Sequence, residues 1–140
     1  MRWSTWGVGE LRRSRERLAK QGEAAEQTGD GASSGLLLFY AAECGLKAEV
    51  LRWILQREDT SALPTDLRSH NLRRLAKALN LQDPAPGQDP LRCRRHKDSS
   101  WIESHQLHEA WRYGAELCAD HQKAALEALK SLVKDARKGS

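Results

Sequence analysis

The run from Leu36 to about Arg57 narrows the choice of fold more than any other part of the chain. Phe39, Ala42, Leu46, Val50 and Trp53 recur at three- and four-residue steps, and Tyr40, Cys44, Leu51 and Ile54 widen the stripe. A face this broad needs more than one neighbour to cover it, so it predicts a helix at the centre of a bundle. Gly45 is the sole interruption. Glycine inside a helix costs about 1 kcal/mol relative to alanine, so its presence points to a close helix crossing. Glu43 and Lys47, four residues apart, predict an ion pair at the edge of the stripe.

The other segments are read as partners for that helix. Residues 1–26 predict an opening helix around Leu11 and Leu18, with Trp3 and Trp6 placed to dock its start or to anchor a partner surface. Gln27 to Gly35 holds three glycines and two serines, which ends one helix and offers Ser33 or Ser34 as the cap of the next. Beyond Pro64, Asp66 or Ser69 is expected to cap a third helix running to about Leu79. Leu72, Leu75, Ala76 and Leu79 would face inward there, and Arg73, Arg74 and Lys77 outward. Pro84, Pro86, Gly87 and Pro90 make 80–99 an expected surface loop. A fourth helix is expected from Ser99 or Ser100, carrying Trp101, Ile102, His105, His108, Trp111 and Arg112 and breaking at Gly114. A last one runs from Asp120 to Arg137 on Ala125, Leu129, Leu132, Val133 and Ala136, with Lys134, Arg137 and Lys138 complementing its dipole. No alternating strand pattern competes with these. The expected fold class is all-α: an antiparallel bundle of four to five helices in one domain. Residues 1–33 form its N-terminal helix and Gly/Ser loop, and 34–137 its core.

A length of 140 residues supports one hydrophobic core. The longest apolar run, Leu36 to Ala42, falls well short of the roughly 20 residues that span a bilayer. The first residues open no hydrophobic export segment, and three cysteines imply no disulfide framework. The expectation is a reduced, cytoplasmic protein without a membrane anchor. Lys and Arg number 23 against 19 Asp and Glu, a net +4. The cations cluster at Arg12, Arg13, Arg15 and Arg17, at Arg68, Arg73, Arg74 and Lys77, and at Arg92, Arg94, Arg95 and Lys97. Such clusters serve either as solvated faces or as an anion-binding surface.

Three segments carry a resemblance. Phe39-Tyr40-Ala41-Ala42-Glu43-Cys44-Gly45-Leu46-Lys47-Ala48 resembles the tyrosine–alanine–glutamate, leucine–lysine–alanine helix of HEPN domains (higher eukaryotes and prokaryotes, nucleotide-binding). Ser69-His70-Asn71-Leu72-Arg73-Arg74-Leu75 is similar to the His-x-Leu-x-x-Leu segment that opens that family's third helix, and Trp111-Arg112-Tyr113 to its Arg-Tyr step before the last helix. The likeness covers residues 34–137. It implies a HEPN-like bundle that often forms homodimers, among whose relatives are metal-independent RNases, toxins paired with nucleotidyltransferases, and non-catalytic nucleotide- or nucleic-acid-binding modules. Many prokaryotic members act against phage or plasmids. Catalytic members carry Arg-x(4–6)-His; here none of His70, His96, His105, His108 and His121 has an arginine five to seven positions before it. The resemblance therefore implies a binding module: an accessory or regulatory subunit of a stress or phage-defence system, with no cofactor. Its partners would be nucleic acid or nucleotide, a second copy, and a nucleotidyltransferase or defence-complex subunit.

Arg92, Arg94, Arg95 and Lys97, aided by Arg73, Arg74 and Lys77, are the residues expected to follow a phosphate backbone. Trp101 is expected either to stack on a base or, with more weight, to plug the core. Should the protein cut RNA, His70, His96, His108 and Arg112 are the candidates, in pairs such as Arg112 with His108 or Arg94 with His96. His70 also reads as a structural residue that bonds backbone near Asp66. Cys93-x-x-His96, His105-x-x-His108 and Cys118-x-x-His121 set possible zinc ligands three apart, but their spacing matches no common zinc module, and no metal is expected. A structural subunit that buries its surplus tryptophans against a partner is the third class.

Overall fold

The computed structural model describes residues 5–81 and 89–138. Five α-helices hold most of these residues: α1 (Val8–Gln27), α2 (Gly31–Glu49), α3 (Leu72–Ala78), α4 (Leu107–Arg112) and α5 (Ala119–Arg137). α2 is the hub and packs against each of the other four. Leu38, Phe39, Ala41, Ala42, Leu46 and Ala48 are all sealed from solvent, so α2 is buried on more than one side, as its broad stripe predicts. Each of its large apolar side chains contributes about 1.5–3 kcal/mol by leaving water. Gly45 lies where α2 crosses α1 and α5. A Cβ added there would sit 2.8 Å from Arg15 Cδ and 2.9 Å from Ala136 Cβ. Gly35 admits Trp111 in the same way, with the indole Cδ2 and Cζ2 2.6 Å from where a Cβ would stand.

Helix boundaries differ from the sequence expectation in three places. α2 starts at Gly31 rather than after Ser33 or Ser34, because the Asp30 carboxylate accepts the Ser33 N–H at 3.1 Å. Hydrogen bonds from the Ser33 hydroxyl and then its N–H hold the Asp30 carboxyl below its ordinary range. An ionised cap is a stronger acceptor than a hydroxyl, so the serines fall inside the helix. At the other end α2 passes into a π-helical turn, Val50–Leu55. Its i→i+5 bonding changes the angular register, so Val50 and Leu51 stay buried while Trp53 and Ile54 leave the stripe and are 52% and 51% exposed. α3 is capped by Asn71, whose side chain accepts the Arg74 N–H at 3.2 Å. Asp66 and Ser69 instead build the preceding turn, where Ser69 Oγ donates to the Asp66 carbonyl at 2.9 Å.

The largest correction concerns the expected fourth helix. Trp101–Ile102 is a strand, β2, paired antiparallel with β1, Cys93–Arg94, in the register Cys93 to Ile102 and Arg94 to Trp101. Cys93 and Ile102 point into the core while Arg94 and Trp101 face out. Two residues per strand are too few to show period-two alternation, which is why the ribbon left no mark in the sequence pattern. Nor is 89–99 a free surface loop. Leu91 and Cys93 are buried, the His96 N–H donates to the Glu116 carbonyl at 2.9 Å, and the Cys118 N–H donates to the Arg94 carbonyl at 2.8 Å.

Arg15 also departs from expectation. It is buried in α1, its Nη1 donates to the Ala136 carbonyl at 3.1 Å, and it lies 3.9 Å from the buried Glu49 carboxylate. The cluster at 12–17 is thus partly an internal tie between α1, α2 and α5. Trp6 is half-exposed, while Trp3 and the prolines at 84 and 86 lie outside the described residues. Among the described residues no helix is long and apolar enough to cross a membrane.

Candidate nucleic-acid interface

The ribbon orients the third cationic segment, Arg92 to Lys97. The Arg94 N–H donates to His121 Nδ1 at 3.0 Å, which leaves the ring proton of that histidine on Nε2. The same imidazole stacks on Trp101, with ring centroids 5.5 Å apart and planes 12° from parallel. The guanidinium carbons of Arg92 and Arg94 stand 4.1 Å and 4.5 Å from the Trp101 ring centroid, within cation–π range. Trp101 does not plug the core; it remains 39% exposed in a setting of two cations and an imidazole.

α3 supplies the other half. Arg73, Arg74 and Lys77 line a groove of about 280 Å³ whose other residues include Glu103, Ser104 and His105. Glu103 joins the two halves, because its Oε1 accepts Arg92 Nε at 2.9 Å while its side chain borders the groove. The fold therefore brings together segments that are some twenty residues apart in sequence. Two of the cations are partly neutralised, Arg92 by Glu103 and Arg73 by Asp89 at 3.5 Å. Arg74, Lys77, Arg95 and Lys97 are exposed, and none forms an ion pair with a described residue. These are the positions where an anion gains most from approach.

A second cluster lies where α2, α3 and α4 meet. His70 Nδ1 bonds Glu43 Oε1 at 2.5 Å, and Lys47 Nζ reaches Glu43 Oε2 at 3.3 Å and the Arg68 carbonyl at 3.3 Å. His70 is thus oriented by a carboxylate on α2 and not by backbone near Asp66. Its ring centroid is 4.4 Å from that of His108, which packs on Phe39 at 5.1 Å. The bond to Glu43 raises the His70 pKa, whereas burial, reinforced by His70, lowers that of His108. His108 Nδ1 is buried without a hydrogen-bond partner.

Of the possible cleaving residues, His70 and His108 come together. His96 is exposed on the ribbon segment, and the Arg112 guanidinium carbon lies 5.7 Å from the neighbouring Tyr113 ring centroid. The possible zinc ligands are not gathered: Cys93 Sγ is buried 3.6 Å from the His121 carbonyl, and the His108 ring faces His70. Among the described residues no three His, Cys, Asp or Glu side chains are grouped to hold a metal ion. Sequence reasoning missed Glu43 as the partner of His70 and His121 as the support of Trp101. The i,i+4 pairing of Glu43 with Lys47 drew attention to one neighbour and hid the other. No protein-family model, curated protein or solved structure matches this chain.

Proposed function

We propose that the protein is a HEPN-like helical module that binds nucleic acid or nucleotide through phosphate contacts without cutting it. It acts as an accessory or regulatory subunit in a prokaryotic stress or phage-defence system. One observation supports the binding: Arg73, Arg74 and Lys77 of α3 and Arg92 of the ribbon segment, some twenty residues apart in sequence, meet across Glu103. The HEPN-like identity, the homodimer and a nucleotidyltransferase or defence partner rest on the resemblance of residues 34–137. Affinity for a short RNA is expected to fall steeply between about 50 and about 200 mM salt, since each phosphate contact releases a counterion. Affinity unchanged by salt would remove the reading.

A second reading is favoured by the contact of His70 with His108. Two imidazoles lie in contact, His70 exposed and oriented by Glu43 and His108 buried against Phe39, so His70 is the member positioned to exchange a proton with a substrate. That is the arrangement a metal-independent RNase with a rearranged site would use. Cleavage of a mixed RNA pool by the wild type that is lost in His70→Ala and in His108→Ala would support this reading over the first. Cleavage that survives in both would discredit these histidines.

A further inference from the structure

A cavity of about 450 Å³ opens between the ribbon and the end of α4. Its volume falls within the roughly 300–1,000 Å³ that small-molecule sites occupy. Two aromatic rings border it, Trp101 at 39% and Tyr113 at 77% exposure, together with the polar side chains of Arg95, Gln106 and Glu109. It is distinct from the groove lined by Arg73, Arg74 and Lys77, and different residues of the segment 100–106 border the two.

The indole is preorganised. His121 stacks on it, the Arg92 and Arg94 guanidinium groups stand over it, and the imidazole is itself fixed by the Arg94 N–H. A ring held this way is a fixed wall of the cavity, and the Tyr113 ring beside it is the one open to a stacking partner. The polar border is selective in one respect. Gln106 offers a donor and an acceptor, but the Glu109 carboxylate only accepts. It therefore favours adenine, whose amine donor stands beside a single ring acceptor, over uracil, whose one donor, N3–H, lies between two carbonyl oxygens that the carboxylate repels. Arg95, which forms no ion pair with a described residue, supplies positive charge at the same border.

We propose that this cavity receives an unpaired nucleobase bearing an amine, stacked on Tyr113 beside the wall that Trp101 forms, with its edge at Gln106 and Glu109 and its phosphate at Arg95. The proposal rests on the reading that the cationic surface holds nucleic acid, and it adds a base contact to what phosphate attraction alone provides.

The test compares three labelled probes of equal length, an oligoadenylate, an oligouridylate and an abasic ribose-phosphate chain, by fluorescence anisotropy with the full chain. The oligoadenylate should bind tightest. Tyr113→Ala should weaken it about tenfold, as expected when one base no longer stacks, while leaving the abasic probe unchanged. Glu109→Gln should narrow the preference for adenine over uracil. Trp101→Ala, checked for retained helicity by circular dichroism, should also weaken the oligoadenylate, by removing a wall of the cavity. Equal affinity for the abasic chain and the oligoadenylate, with no effect of Tyr113→Ala, would overturn the base site and leave phosphate binding standing. Failure of all three probes to bind would overturn both.

Discussion

Across the 4.4 Å between the rings of His70 and His108, two residues of one type are held on opposite sides of their ordinary pKa of 6.5. Glu43 favours the charged form of His70, so that contribution to stability is complete below pH 6.5 and is lost as pH rises through the raised folded value. Burial disfavours charge on His108, so the fold is weakened as pH falls from 6.5 toward the lowered folded value. In Glu43→Gln the His70 pKa should drop to its ordinary value or below, read by NMR titration of the imidazole resonances; an unmoved His70 would show that the carboxylate is not its partner. Thiol reactivity is decided at the same scale. Burial pushes Cys93 up to about 12 and Cys44 up to about 11, so neither supplies thiolate near neutral pH. In the native protein, alkylation at pH 8 should modify Cys118 ahead of both, and mass spectrometry of the early product would identify the site.

α2 does most to set the architecture, and its glycines are where its neighbours come closest. Gly35→Ala places a methyl against the Trp111 indole, a rigid group whose Nε1 donates to Gln122 at 3.0 Å. Gly45→Ala meets the flexible Arg15 side chain and the small Ala136. Overpacking of this kind costs about 1–3 kcal/mol. Gly35→Ala should lie at the upper end, because it meets a rigid ring, and Gly45→Ala lower, because Arg15 can swing away and α5 need shift only a few tenths of an ångström at Ala136. Urea unfolding of the two variants checks the order. Leu46→Ala, which opens a void at the centre, should cost about 2–5 kcal/mol in the same assay. A cost under about 1 kcal/mol would mean that α2 is not the hub.

For the whole molecule the net charge matters less than where the cations gather. Replacing Arg74, Lys77, Arg95 and Lys97 together with alanine removes four exposed charges that support no described ion pair. Helicity and unfolding midpoint should therefore stay near wild type. The slope of log affinity against log salt should shallow by up to about one unit for each phosphate that the protein no longer neutralises. Alanine in place of Arg15 makes the opposite control: buried against the Ala136 carbonyl and Glu49, it should lower stability and leave the salt slope alone.

Helical periodicity, read along the chain, was enough to place α2 at the centre, to orient α3 with its leucines in and its cations out, and to give α5 its buried stripe. These follow from local geometry, because side chains three and four apart share a helix face whatever surrounds them. The ribbon at 93–94 and 101–102 depended on tertiary structure, since two residues per strand hold no periodic signal and pair only when Cys93 and Ile102 find the core. The same holds for Arg15, which the core accepts only because Glu49 and the Ala136 carbonyl await it there. The meeting of His70 with Glu43 and His108, and of the α3 cations with Arg92 across Glu103, is likewise a matter of how helices pack. Such meetings join residues far apart in sequence, and no local pattern encodes them.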